Sequence, residues 1–106
     1  MAPLIEKNKY KIISTCLKHN LKYLYLFGSA ARETDFTTES DIDFLYAFDK
    51  EKIQFDNYAD NYFAFRFTVE DLLKRNIDLV PEERLTNPYL IKSINRDKIK
   101  IYGEGH

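Results

Sequence analysis

Asp41 and Asp43 stand one residue apart in an otherwise apolar run of Ile42, Phe44, Leu45 and Tyr46, and Gly28-Ser29 closes an earlier apolar run. A β-strand sends residues i and i+2 to the same face, so both carboxylates are expected to project the same way from one rigid element. Aspartate is depleted in strands, and two carboxylates side by side repel unless a cation or donor lies between them. A hard divalent ion such as Mg²⁺ suits the pair, because it binds one or two carboxylates and fills its other positions with water and substrate phosphates.

The Gly-Ser pair supplies a second chemical element. Leu21 to Phe27 reads as a strand of bulky apolar and aromatic residues, and Gly28-Ser29-Ala30-Ala31-Arg32 then changes to small, helix-compatible residues. Gly28 would let the backbone approach a ligand closely, and Ser29 would add a hydroxyl to the amides of the following turn, which together make a phosphate cradle. The pattern thus expects a phosphate site one strand away from a metal site. Each part has a plainer reading: a Gly-Ser turn is common, and aspartates in a strand can guard a sheet edge against aggregation.

Gly28-Ser29, Arg32, Ser40-Asp41-Ile42-Asp43-Phe44 and Ile77-Asp78-Leu79-Val80 together resemble the minimal nucleotidyltransferases of the DNA polymerase beta superfamily, over nearly the whole chain. The resemblance implies an α/β (α+β) fold with a small mixed β-sheet flanked by helices. It implies that Gly28 and Ser29 bind a nucleoside triphosphate, that Asp41 and Asp43 hold two Mg²⁺ ions, and that Asp78 is the third catalytic and metal-binding acid. Arg32 matches a family position but stays open between a triphosphate contact and a structural salt bridge. Two departures fall beside it: Glu33 stands where the family usually has Gly, and eleven residues separate Ser29 from Asp41, slightly more than is common. The Glu33–Ser40 loop is expected to absorb both.

The stretch from Tyr58-Ala59-Asp60-Asn61-Tyr62-Phe63 through Asn87-Pro88-Tyr89 further resembles the bacterial and archaeal subgroup encoded with HEPN-domain toxins. That resemblance implies an antitoxin that transfers AMP from ATP to a tyrosine of a partner HEPN ribonuclease. The alternative is a non-catalytic module that neutralises the partner by occlusion.

At 106 residues the chain is expected to form a single domain, residues 1–106, with a core rich in Tyr and Phe. A formal net charge of −1 argues against nonspecific nucleic-acid binding through a broad basic field. A single cysteine, Cys16, and no long apolar span or signal peptide suggest a cytoplasmic protein without internal disulfide or membrane segment. No zinc site is expected.

Helices and strands alternate along the chain. A helix from Pro3 should stop at His19-Asn20, a strand should run from about Asp41 to Phe48, and a charged turn, Asp49-Lys50-Glu51-Lys52, should follow. Phe55, Tyr58, Ala59, Tyr62, Phe65, Val69, Leu72 and Leu73 then line one stripe of a long helix ending at Lys74-Arg75-Asn76. Arg66 falls inside that stripe, where it could pair with an acid, snorkel or face a partner. Ile77–Val80 forms a short strand closed by Pro81, and a last helix near Asn87–Asn95 leads to Lys98-Ile99-Lys100-Ile101-Tyr102. His19 reads as a helix-end residue, and His106 lies in a tail expected to fray.

Overall fold

Pro3, with its fixed φ and missing N–H, starts the first helix in a computed structural model that describes residues 1–103. The expected fraying of His106 concerns a residue outside the described ones. Helix α1 spans Pro3–Lys18, strand β1 Leu21–Phe27, the one-turn helix α2 Ser29–Arg32 and strand β2 Ile42–Phe48. Helix α3 follows over Phe55–Leu73, strand β3 over Ile77–Pro81, helix α4 over Pro88–Asp97 and strand β4 over Ile99–Gly103. A 3-10 turn, Glu82–Arg84, joins β3 to α4.

The four strands form a mixed sheet in the order β3-β2-β1-β4. β1 pairs antiparallel with β2 and β4, whereas β2 and β3 run parallel. A parallel neighbour needs a crossover, and α3 provides it. β4 was not anticipated: Lys98 to Tyr102 alternates charge and apolar side chains, but only pairing with β1 makes it a strand.

Strand alternation divides the apolar residues between two faces. On one, Leu24 and Leu26 of β1, Ile42, Phe44 and Tyr46 of β2, Ile77 and Leu79 of β3 and Ile101 of β4 pack with Ile5, Ile12 and Cys16 of α1 and Phe65, Val69 and Leu73 of α3. Phe44 and Phe65 are wholly buried there, and each such side chain contributes about 1.5–3 kcal/mol through burial. On the other face Tyr23, Tyr25, Phe27 and Leu45 pack with Ile94 of α4. Residues with the parity of Leu45, including Asp43, therefore lie on the α4 face.

The α3 stripe is only partly a core stripe. Phe65, Val69 and Leu73 are buried, Tyr58, Tyr62 and Leu72 partly so, but Phe55 is 100% exposed because the first turn of the helix stands clear of the core. Gln54 N donates to Asn57 Oδ1 at 2.7 Å, a capping contact that fixes this start without help from burial.

Arg66 resolves to the pairing reading. It donates to Tyr62 Oη at 2.9 Å and to the Ile77 carbonyl at 3.1 Å, and lies 3.6 Å from Glu70. Glu70 in turn accepts the Ile77 N–H at 3.3 Å. His19 ends α1 as expected, its Nδ1 meeting the Thr15 carbonyl at 2.8 Å and its ring edge-on to Phe65.

Candidate active site

Parallel register places Asp43 of β2 directly beside Asp78 of β3. On its other side Asp43 is the register partner of Phe27, the last residue of β1, and Gly28 follows at once. β2 is therefore the middle strand of a three-strand constellation: phosphate-cradle candidates on one flank, the third acid on the other.

Gly28 has φ +71° and ψ −155°, a conformation that side chains disfavour. A Cβ built on it would overlap Oδ2 of Asp43. Two independent constraints thus demand glycine here, one from the backbone and one from the neighbouring carboxylate. The Gly28 carbonyl accepts the amides of Ala31 and Arg32 at 3.0 and 3.1 Å, which closes the turn of α2 and carries Ser29 at its start.

Asp41 lies one residue before β2, not within it as expected, and is exposed. The Ile42 N–H donates to the Asn76 carbonyl at 3.1 Å, so pairing with the β3 side begins just after Asp41. Burial pushes the Asp43 carboxyl up to about 6, and the charges of Asp78 and then Asp41 push the same way, with Arg32 opposing. Asp41 and Asp78 thus lie close enough for their charges to act on Asp43.

Among the described residues no three His, Cys, Asp or Glu side chains converge as a metal cluster. The donor chemistry nevertheless fits a hard divalent ion: all three side chains offer carboxylate oxygens, and the half-buried Asp43 is raised by like charges that such an ion would offset.

Arg32 is engaged in ion pairs, with Nη1 on Asp97 Oδ2 at 2.7 Å and Nη2 on Asp35 Oδ2 at 2.9 Å. Asp97 also accepts from Arg96 Nε at 2.9 Å. Glu33, in the place of the family's glycine, adopts φ +70° and pairs with the amino group of Met1 at 2.7 Å. The loop thus makes a left-handed turn with a non-glycine residue.

Sequence reasoning missed Arg75. Its Nη2 donates to the Thr37 carbonyl at 2.7 Å and to the Ser40 carbonyl, and its guanidinium lies over the Phe36 ring at 4.7 Å. One side chain from the end of α3 therefore pins the loop that delivers Asp41. No local signal could mark this role, since Arg75 and Thr37 are 38 residues apart.

The sequence model of the family described as "Polymerase beta, Nucleotidyltransferase" matches residues 10–106. A Methanocaldococcus jannaschii protein named "Putative protein adenylyltransferase" is 35% identical over 100 residues, covering 92% of this chain and 91% of the relative. A second protein of the same name and organism is 36% identical over 98 residues, with the same coverage. Among solved structures, one titled as a putative minimal nucleotidyltransferase superposes with a TM-score of 0.70 at 26% identity, covering 90% of each chain. A mutant of the toxin–antitoxin pair MntA–HpeT gives a TM-score of 0.64 at 25% identity, covering 92% of this chain and 73% of that one. A match that spans nearly the whole sequence, on a fold that brings Gly28, Asp43 and Asp78 together, establishes that the chain belongs to the polymerase beta nucleotidyltransferase family.

Proposed function

We propose that this chain is a Mg²⁺-dependent protein adenylyltransferase that acts as an antitoxin, transferring AMP from ATP to a tyrosine of a partner HEPN-domain ribonuclease. The observation that carries the reading is Asp43 set between Gly28 and Asp78 on adjacent strand ends. The whole chain acts as one domain, working in the cytoplasm. Family membership supports the reaction type, and the kinship with chains named as protein adenylyltransferases supports a protein acceptor.

In this reading Asp41, Asp43 and Asp78 hold two Mg²⁺ ions, which supply charge neutralisation at the attacking and leaving oxygens when bound. Gly28 and Ser29 hold the β- and γ-phosphates so that pyrophosphate departs from a fixed position. Arg32 adds positive charge to the triphosphate. The tyrosine oxygen forms a bond to the α-phosphorus, the bond from that phosphorus to the bridging oxygen of the β-phosphate breaks, and Asp78 accepts the phenolic proton. Among the described residues no helix is long and apolar enough to cross a membrane.

The test is incubation of purified chain, ATP, Mg²⁺ and HEPN partner, followed by intact mass and by protection of cells from the toxin. Wild type should add one or more AMP units to the partner. Asp41→Ala should abolish the addition while still co-purifying with the partner, since metal ligands need not form the protein interface. Equal protection by Asp41→Ala at matched expression would replace catalysis with occlusion.

A further inference from the structure

The guanidinium of Arg32 is shared by two carboxylates of very different standing. Nη1 donates to Asp97 Oδ2 at 2.7 Å, and Nη2 donates to Asp35 at 2.9 and 3.3 Å. The Asp97 side chain is 6% exposed and that of Asp35 60%. Asp97 ends α4, a helix anchored on the sheet through the buried Ile94, and its other oxygen receives Arg96 Nε. Asp35 stands in the loop between α2 and β2, with the Thr34 hydroxyl as a second contact at 3.4 Å.

This asymmetry has a chemical meaning. Two arginines hold the Asp97 carboxyl down to about 2, so it stays charged across any working pH. A guanidinium nitrogen that donates to carboxylate oxygens can donate to phosphate oxygens in the same geometry. The Nη2 side of Arg32, held among the described residues by an exposed loop aspartate, is where such an exchange costs least; the Nη1 side is locked to a nearly covered partner.

We propose that Asp97 is a positioning residue that orients Arg32 toward the triphosphate, and that Asp35 is a placeholder whose oxygens a phosphate displaces from Nη2. The inference rests on the reading of Arg32 as a triphosphate contact. It assigns opposite consequences to two carboxylates on one arginine. Removing the placeholder removes a competitor, whereas removing the anchor lets the guanidinium turn away.

The purified chain is titrated with Mg²⁺ and AMP-PNP by calorimetry, and KM and kcat for transfer to the partner are measured in parallel. Asp35→Asn should tighten nucleotide binding several-fold and lower KM with kcat little changed. Asp97→Asn should weaken binding about tenfold, the scale of one charge-assisted hydrogen bond, and Asp97→Glu should recover part of the loss. If both carboxylates served only as stabilising ion pairs, both substitutions would lower the melting temperature and leave nucleotide binding unchanged. Binding that shifts in the same direction for both, or in neither, overturns the proposal. If Asp97→Asn does not fold, Asp35→Asn still decides: binding unchanged or weaker overturns it. Arg32→Met separates this failure from that of the parent reading, because binding equal to wild type in Arg32→Met removes Arg32 itself from the nucleotide site.

Discussion

Asp43 carries a cost that the folded chain bears when no cation is present. Its carboxyl lies near 6 in the fold against an ordinary 3.8, first through burial and then through Asp78 and Asp41. Between these values the folded chain keeps a proton that the unfolded chain has released. Stability therefore falls as pH rises through this window, and the contribution is gone above about pH 6. With chelator at pH 7, Asp43→Asn should melt above wild type by about 1 kcal/mol, since partial exposure screens much of the full shift, and its stability should vary less between pH 4 and 7. Thermal melts across that range decide it; parallel curves would assign the raised value no energetic weight. At this scale Asp43 and Asp78 stood out because aspartate goes against the preference of a strand, and Gly28 because a glycine after an apolar run marks a turn, whereas the place of Asp41 just outside β2 was not legible. The occupancy of Arg32 was not, because Asp97 lies 65 residues away and only the docking of α4 brings it close.

Elements were legible where periodicity and breakers agree. α1 ends at His19-Asn20 as read, and β1 covers Leu21–Phe27. β4 escaped because it is short and half-polar, so that its state is set by the neighbour it pairs with. The outward start of α3 escaped for a related reason: Phe55 fits the helical stripe, yet the stripe cannot say how far the sheet beneath it extends. The other end of α3 holds a testable strain. Lys74 caps the helix at φ +54°, a conformation that costs a side-chain-bearing residue about 1–2 kcal/mol, and its ion pair with Asp71 is exposed at both ends and so worth little. Lys74→Gly should therefore stabilise the chain by about 0.5–1 kcal/mol after the extra backbone freedom of glycine in the unfolded state is counted. Denaturant midpoints measure this, and a lower midpoint would mean that the Lys74 contacts outweigh the backbone relief.

For the molecule as a whole, the candidate ligand residues lie on β2 and β3, just before β2 and in the turn that follows β1, so their binding should act on global stability. Mg²⁺ with ATP at a hundredfold excess over Kd should add about 2.7 kcal/mol, roughly a 10 °C rise in Tm for a chain of this size. Asp43→Asn should lose most of that rise in differential scanning fluorimetry, and an equal rise in both proteins would move the metal elsewhere. Strand order was not legible from the residues alone. Apolar runs identify strands, but the family resemblance was needed to expect a mixed sheet, and the parallel pairing of β2 with β3 emerges only when α3 crosses over the face. β3 lies at the border of that sheet, where a strand offers unpaired backbone groups to any passing chain. There Arg66 and Glu70 bind the carbonyl and amide of Ile77, one donating and one accepting. Two side chains of a helix thus imitate, at Ile77, the hydrogen bonds a fifth strand would make, and the first outward position of the border beside Asp78 is occupied by the same helix that makes the parallel pair possible.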